Sequence, residues 1–381
     1  MENEYREFQI FAKPVGADCN LKCEYCYYLD KKALYGGNKS LLMPDDILEK
    51  YIIQHIEAST GDKIFFSWHG GEPLLAGLET FQKIVAFQKE HKPVGRSIVN
   101  GIQTNGTLID DKWASFLADG NFTVGISLDG PADLHNIYRK TRDKMSSFLQ
   151  AMKGFEILRD HDLLCEILCV VHSENVRYPL AVYDFLRQLG VKYLTFLPLV
   201  ERLQGTESGV SAKTVPSVEF GNFLISIFDE WIMKDIGAVK IQIFEEAIRP
   251  AFNQEHTLCI FKEICGGVPV VEHTGDFYSC DHFVDRDHLV GNISNGSVAD
   301  FLDSDKQKRF GEFKLTSLPF YCRSCDVRQM CNGECPKNRF INAPDGESGL
   351  NYLCRGYKAF FTHCHPFVDA IASAWKSQKE Y

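Results

Sequence analysis

Three cysteines, Cys19, Cys23 and Cys26, stand in C-x3-C-x2-C spacing near the amino end of the 381-residue chain. Thiolates are soft donors suited to iron and zinc. A four-iron cluster normally takes four cysteine ligands, so three leave one iron open to a substrate or cofactor. A zinc ion completed by a distant fourth ligand is the alternative. A second set lies far along the chain: Cys259, Cys265 and Cys280, then Cys322, Cys325, Cys331, Cys335 and Cys354 in C-x2-C-x5-C-x3-C-x18-C spacing. Eight thiols can enclose two clusters fully, or two structural zinc ions, and spacing does not choose between them.

Other chemistry-bearing residues follow short apolar runs. His69-Gly70-Gly71-Glu72-Pro73, Gln103-Thr104-Asn105-Gly106-Thr107 and Ser127-Leu128-Asp129-Gly130-Pro131 each combine turn-forming glycine with polar or acidic groups. Any one of them could merely reverse the chain, but repetition after successive strands points to one shared pocket. Asp281, next to Cys280 in Tyr278-Ser279-Cys280-Asp281-His282, could cap a turn, pair with a cation or serve as a base.

The elements that must position these groups read as alternating strands and helices. Strands are expected at 8–13, 63–68, 97–103, 123–127, 165–171 and 193–197, and helices at 46–56, 78–88, 111–117 and 146–158. Six βα units give an α/β fold, a partial (β/α)6 TIM-like barrel, with a doubly wound sheet as the alternative. Either places ligands at the carboxyl ends of the strands. A polar connection at 200–218 leads to an amphipathic segment over 219–236. After residue 255 the regular alternation gives way to short runs and turns around the second set of cysteines. The expected division is therefore a barrel over 1–250 and a small cysteine-rich iron-sulfur domain over 251–381, held partly by its metals.

Composition narrows the function. With a net charge of -10 the chain has little basic surface for a nucleic-acid backbone, and a basic peptide is the better partner. No apolar run approaches a membrane span, and residues 1–12 lack the apolar core of a secretory signal, so a cytoplasmic protein is expected. Fourteen cysteines in such a chain favour metal ligation over disulfides. Cys165, Cys169 and Cys364, outside both sets, are expected to pack as small apolar residues.

The C-x3-C-x2-C set with Tyr25 before its last cysteine, followed by Gly70-Gly71-Glu72-Pro73, resembles the radical S-adenosylmethionine superfamily. The tail resembles its SPASM auxiliary-cluster extension. From about Lys13 to His365, the stretches KPVGADCNLKCEYCYYL, WHGGEP, IQTNGTLIDDKW, VGISLDGP, YSCDHFV and CNGECPKNRF resemble the anaerobic sulfatase-maturating enzymes.

That resemblance implies three [4Fe-4S] clusters and S-adenosylmethionine. The first cluster would sit on Cys19, Cys23 and Cys26, with the methionyl amino and carboxylate groups on its open iron. Gly70, Gly71 and Glu72 would meet the methionyl ammonium, and Ser127 and Asp129 would approach the ribose and methionyl end, although Asp129 could instead cap a helix or fix a turn. Cys259, Cys265, Cys280 and Cys335 would hold one auxiliary cluster, and Cys322, Cys325, Cys331 and Cys354 the other, whereas local spacing equally groups Cys322 through Cys335. Tyr28 would face the substrate chamber while Tyr27 packs the loop, and Asp281 would be the catalytic base. Arg139 would contact a cofactor carboxylate or close an ion pair.

The implied reaction converts a serine or cysteine of a sulfatase to Cα-formylglycine without oxygen: a 5′-deoxyadenosyl radical takes a Cβ hydrogen, Asp281 takes a proton, and an auxiliary cluster takes the remaining electron. The implied partners are an unfolded or nascent sulfatase carrying C/S-x-P/A-x-R and a reducing donor such as flavodoxin or ferredoxin, with the enzyme a monomer. Alternatives are a SPASM maturase that forms a crosslink, and a noncatalytic electron carrier or zinc-binding adaptor.

Overall fold

A computed structural model describes residues 8–36, 41–206 and 209–379. The amino-terminal stretch weighed above as a signal lies partly outside them. The chain forms two compact units, each discontinuous in sequence: Met1–Ser127, Asn136–Cys165 and Gly266–Gly311 make the first, and Leu128–His135, Glu166–Cys265 and Glu312–Tyr381 the second.

The first unit carries β1 (Phe11–Ala12), β2 (Lys63–Trp68), β3 (Ser97–Thr104) and β4 (Thr123–Ser127), which pair in parallel in that order. Helices Asp45–Ala58, Leu78–His91 and Asp111–Asp119 connect them. Strand β1 is shorter than the expected 8–13 run; β2 and β4 match their expected limits. In β2, Phe66 and Trp68 are buried against Tyr51 and Phe81, and the Trp68 indole and the Gln88 amide both donate to Asn100 Oδ1 at 2.9 Å. Apolar area drives this face inward, and no buried polar group of that trio lacks a partner.

Beside β1 runs a segment far along the chain. Strand β8 (Val270–Val271) pairs with β1 in parallel, and β9 (Asp276–Tyr278) and β10 (Leu289–Asn292) extend this edge antiparallel. Asp281 thereby enters the unit that carries Cys19, Cys23 and Cys26. A division of the sequence at residue 250 does not anticipate this return, because strands of two to four residues leave no periodic signal.

In the second unit β5 (Cys165–Val171), β6 (Tyr193–Pro198) and β7 (Lys240–Ile241) pair in parallel. Helices Ser217–Lys234 and Cys354–Lys379 pack so closely that a Cβ on Gly356 would lie 2.0 Å from Ser217 O. A hairpin of β11 (Arg339–Asn342) and β12 (Ser348–Asn351) completes its ordered strands. Thus the α/β fold with parallel strands and a cysteine-rich tail is present. Among the described residues no helix is long and apolar enough to cross a membrane.

Candidate active site

Backbone hydrogen bonds fasten the loop after β1 to the loop after β2. His69 N–H donates to Ala12 O at 2.8 Å, Gly71 N–H to Gly16 O at 2.8 Å and Glu72 N–H to Asp18 O at 2.7 Å. A Cβ on Gly71 would stand 2.0 Å from Asp18 O, so this close approach admits only glycine. Gly71→Ala is therefore expected to cost about 2 kcal/mol or more by overpacking against main chain, read as a lower urea midpoint of the anaerobic protein.

On that platform the three thiols share one loop. Cys26 N–H donates to Cys23 O at 3.1 Å, and Cys19 Sγ accepts from Leu21 N at 3.4 Å and from Asn105 Nδ2 at 3.7 Å. Asn105 also donates to Asn20 Oδ1 at 2.9 Å, while its own Oδ1 accepts from Thr107 N and Oγ1. The Gln103–Thr107 stretch thus braces the cysteine loop. Arg142 adds donations to Cys19 O at 2.9 Å and 2.5 Å. Burial, with the Glu72 carboxylate nearby, pushes the Cys19 thiol up to about 12, so a cation is needed to hold the sulfurs as thiolates. Three thiols outside any disulfide, close enough to act on one another electrostatically and with two N–H groups aimed at Cys19 Sγ, fit an iron-sulfur cluster.

Glu72 is fully buried and accepts three protein hydrogen bonds: Oε1 from Thr104 Oγ1 at 2.7 Å and Leu74 N at 3.1 Å, Oε2 from Asn105 N at 2.8 Å. Burial nonetheless raises it to about 7. Most of its acceptor capacity is committed to joining the loops after β2 and β3. Ser127, at the end of β4, accepts from Gln103 Nε2 at 3.2 Å. In the second unit Asp129 is buried, its Oδ1 accepting from Val170 N at 2.9 Å and its carbonyl from Asn175 Nδ2 at 3.1 Å, bonds that tie it to β5 and the segment after it.

Asp281 is buried between two donors. Lys13 Nζ, at the end of β1 and 1% exposed, pairs with Oδ1 at 2.6 Å, and the Tyr27 hydroxyl donates to Oδ2. Burial would raise this carboxyl, but the Lys13 charge, His282 and the two hydrogen bonds outweigh it and hold the group near 2. Lys13 also lies 4.3 Å above the centre of the Tyr28 ring. Tyr28 is 2% exposed, its hydroxyl committed to Glu272, while Tyr27 is 46% exposed. The ring of Tyr28 packs into a small core of Ala17, Val270, Tyr278 and Val284, which leaves Tyr27 to face outward. Enclosure and the Lys13 charge lower His69 to about 3, a neutral ring stacked on Phe11. Arg139 places its guanidinium 5.5 Å from the centre of the Tyr25 ring. Sequence reasoning missed Lys13 and Glu272.

In the second unit Cys322, Cys325, Cys331 and Cys354 line one pocket, partly open to solvent, with Tyr357 and Lys358 in its wall. Cys335 is absent from that lining and is electrostatically coupled to Cys259 and Cys265. Four free thiols around one space match the donor set of a fully ligated cluster. Cys165, Cys169 and Cys364 are all buried.

Comparison with known proteins fits this geometry. Residues 14–186 match the model of the radical SAM superfamily, and residues 265–326 match an iron-sulfur cluster-binding domain, SPASM. The serine-type anaerobic sulfatase-maturating enzyme of Bacteroides thetaiotaomicron is 40% identical over 97% of this chain and 92% of its own. The chain belongs to the anaerobic sulfatase-maturating enzymes. The cysteine-type enzyme of Clostridium perfringens is 30% identical over 96% of this chain and 98% of its own. A solved structure described as native anSMEcpe with bound AdoMet and Cp18Cys peptide superposes with a TM-score of 0.87 at 31% identity, covering 96% of this chain and 99% of that one. As an anaerobic sulfatase-maturating enzyme of the radical SAM and SPASM type, the chain uses S-adenosylmethionine and [4Fe-4S] clusters.

Proposed function

We propose that this enzyme oxidises a serine or cysteine of a sulfatase polypeptide to Cα-formylglycine, with Asp281 as the base. The observation that carries the reading is the tether between Tyr27, next to Cys26, and Asp281, next to Cys280. One hydrogen bond fixes the proposed base to the loop of the three thiols. When bound, the cofactors supply a 5′-deoxyadenosyl radical for the Cβ hydrogen and a cluster for the remaining electron.

The chain's own residues do the rest. Cys19, Cys23 and Cys26 would hold the reactive cluster; Gly70, Gly71 and Glu72, with Ser127 and Asp129, would border the S-adenosylmethionine site. Cys259, Cys265, Cys280 and Cys335 would hold one auxiliary cluster, and Cys322, Cys325, Cys331 and Cys354 the second. Lys13 keeps Asp281 ionised, and Tyr27 orients its second oxygen. A carboxylate so held accepts the hydroxyl or thiol proton of the substrate as the Cβ hydrogen departs. Tyr28 stays near the reacting residue through Lys13, as part of the wall behind the base.

The peptide carries C/S-x-P/A-x-R in an unfolded or nascent sulfatase, because an extended segment can reach a recessed carboxylate and a finished core cannot. A low-potential protein such as flavodoxin or ferredoxin supplies electrons, and the enzyme works as a monomer in the cytoplasm. Anaerobic incubation with reductant, S-adenosylmethionine and paired serine and cysteine peptides tests the reading by product mass. The serine peptide is expected to lose two hydrogens, and the cysteine peptide also to exchange sulfur for oxygen. A product retaining sulfur and joined to a second residue would instead mean a crosslinking maturase.

A further inference from the structure

Between Cys331 and Cys335, residues Asn332, Gly333 and Glu334 all adopt left-handed backbone, with φ of 47°, 70° and 53°. Two of the three carry side chains, which L residues seldom place there. Arg339 holds them there. Its Nε donates to Gly333 O at 2.9 Å, and Nη2 donates to Asn332 O at 2.9 Å and to Glu334 O at 3.1 Å. Nη1 reaches Lys314 O at 2.5 Å and Ser317 Oγ at 3.4 Å.

All these acceptors are neutral. The Glu334 carboxylate turns away to the side-chain amides of Asn338, at 3.1 Å, and Asn351. The carbonyls it holds on Asn332 and Glu334 adjoin Cys331 and Cys335, one thiol of each tail group, which sets its charge beside both, and the Glu334 carboxylate acts on that charge without an ion pair. Lys314, buried and donating to Cys259 O and Ile260 O at 2.8 Å, adds a second cation on the Cys259 and Cys265 side.

We propose that Arg339 tunes both tail clusters: its planar fork fixes the turn between Cys331 and Cys335, and its charge favours their reduced states. The inference rests on the reading that the tail thiols hold iron-sulfur clusters. A cluster gains negative charge on reduction, so a nearby cation raises its potential. A residue that only clamped the turn would need the fork and not the charge.

Two substitutions separate charge from fork. Arg339→Gln removes the charge, whereas Ser317→Asp leaves the fork intact and brings a carboxylate beside Nη1. Both are made in the full chain carrying Cys19→Ala, Cys23→Ala and Cys26→Ala, so that only tail clusters contribute to an anaerobic redox titration. Iron, sulfide and zinc are measured on each sample. Both variants are expected to shift the reduction of at least one tail cluster about tenfold toward the oxidised form, about 59 mV for one electron. Arg339→Lys is expected to stay near the parent.

Full iron and sulfide with Ser317→Asp and Arg339→Gln both unshifted would overturn the inference and leave the cluster reading standing. If Arg339→Gln fails to take up iron, Ser317→Asp alone decides. An Arg339→Lys shift as large as that of Arg339→Gln would assign the effect to the fork and overturn the role of charge. Zinc in place of iron overturns the cluster reading and the inference together.

Discussion

Replacing Cys19, Cys23 and Cys26 together with alanine is expected to abolish 5′-deoxyadenosine formation and to remove one cluster's iron while the tail keeps its own. The loop itself does not depend on the sulfurs. Lys22 N–H donates to Lys140 O at 2.8 Å and Glu24 N–H to Tyr138 O at 2.9 Å, while Asn20 donates to Thr107 Oγ1 at 2.8 Å. Losing a partly exposed sulfur leaves a small void, costing about 1 kcal/mol or less per site. The variant should therefore fold, and its loss of cofactor cleavage isolates ligation from structure. Retained 5′-deoxyadenosine with a strong chemical reductant would show that these thiols do not hold the reactive cluster.

Much of the scaffold was readable because long strands carry a strong period. Strand β5, buried on alternate residues, and β2 and β4 fall on the expected residues. The loops were not readable in the same way. In Tyr27-Tyr28 nothing in the sequence says which ring turns inward; the core of Val270, Tyr278 and Val284 decides it from far along the chain. Gly70 and Gly71 were legible as a turn, but not as a seam whose glycine lies against Asp18 O. Glu72 likewise read as a free carboxylate for an ammonium, and its three protein donors became visible only in the fold. Lys13 stands at the end of the expected 8–13 strand with nothing in the letters to mark its burial. Its burial follows from β8 pairing with β1, which sequence spacing cannot foresee. Arg339 stands in the CNGECPKNRF stretch, where its role depends on backbone signs invisible in the letters.

Asp281→Asn is expected to lower peptide oxidation by about a hundredfold to ten-thousandfold, the range for losing a general base, while S-adenosylmethionine cleavage continues. Asparagine keeps the shape: its Oδ1 can accept from Lys13, and its amide can donate to the Tyr27 oxygen. What it loses is the charge that balances a buried ammonium, and leaving such a charge unpaired costs about 3 to 5 kcal/mol. Stability must therefore be measured beside activity. A misfolded variant would lose cofactor cleavage and peptide oxidation together, whereas loss of the base alone separates them. Asp281→Glu restores the charge with the carboxylate displaced by one methylene, and is expected to regain stability while remaining slow on peptide. Equal peptide turnover in the asparagine variant and the parent would move the proton acceptor elsewhere, and His282, whose ring lies 5.3 Å from that of Tyr27, would be the next residue to replace.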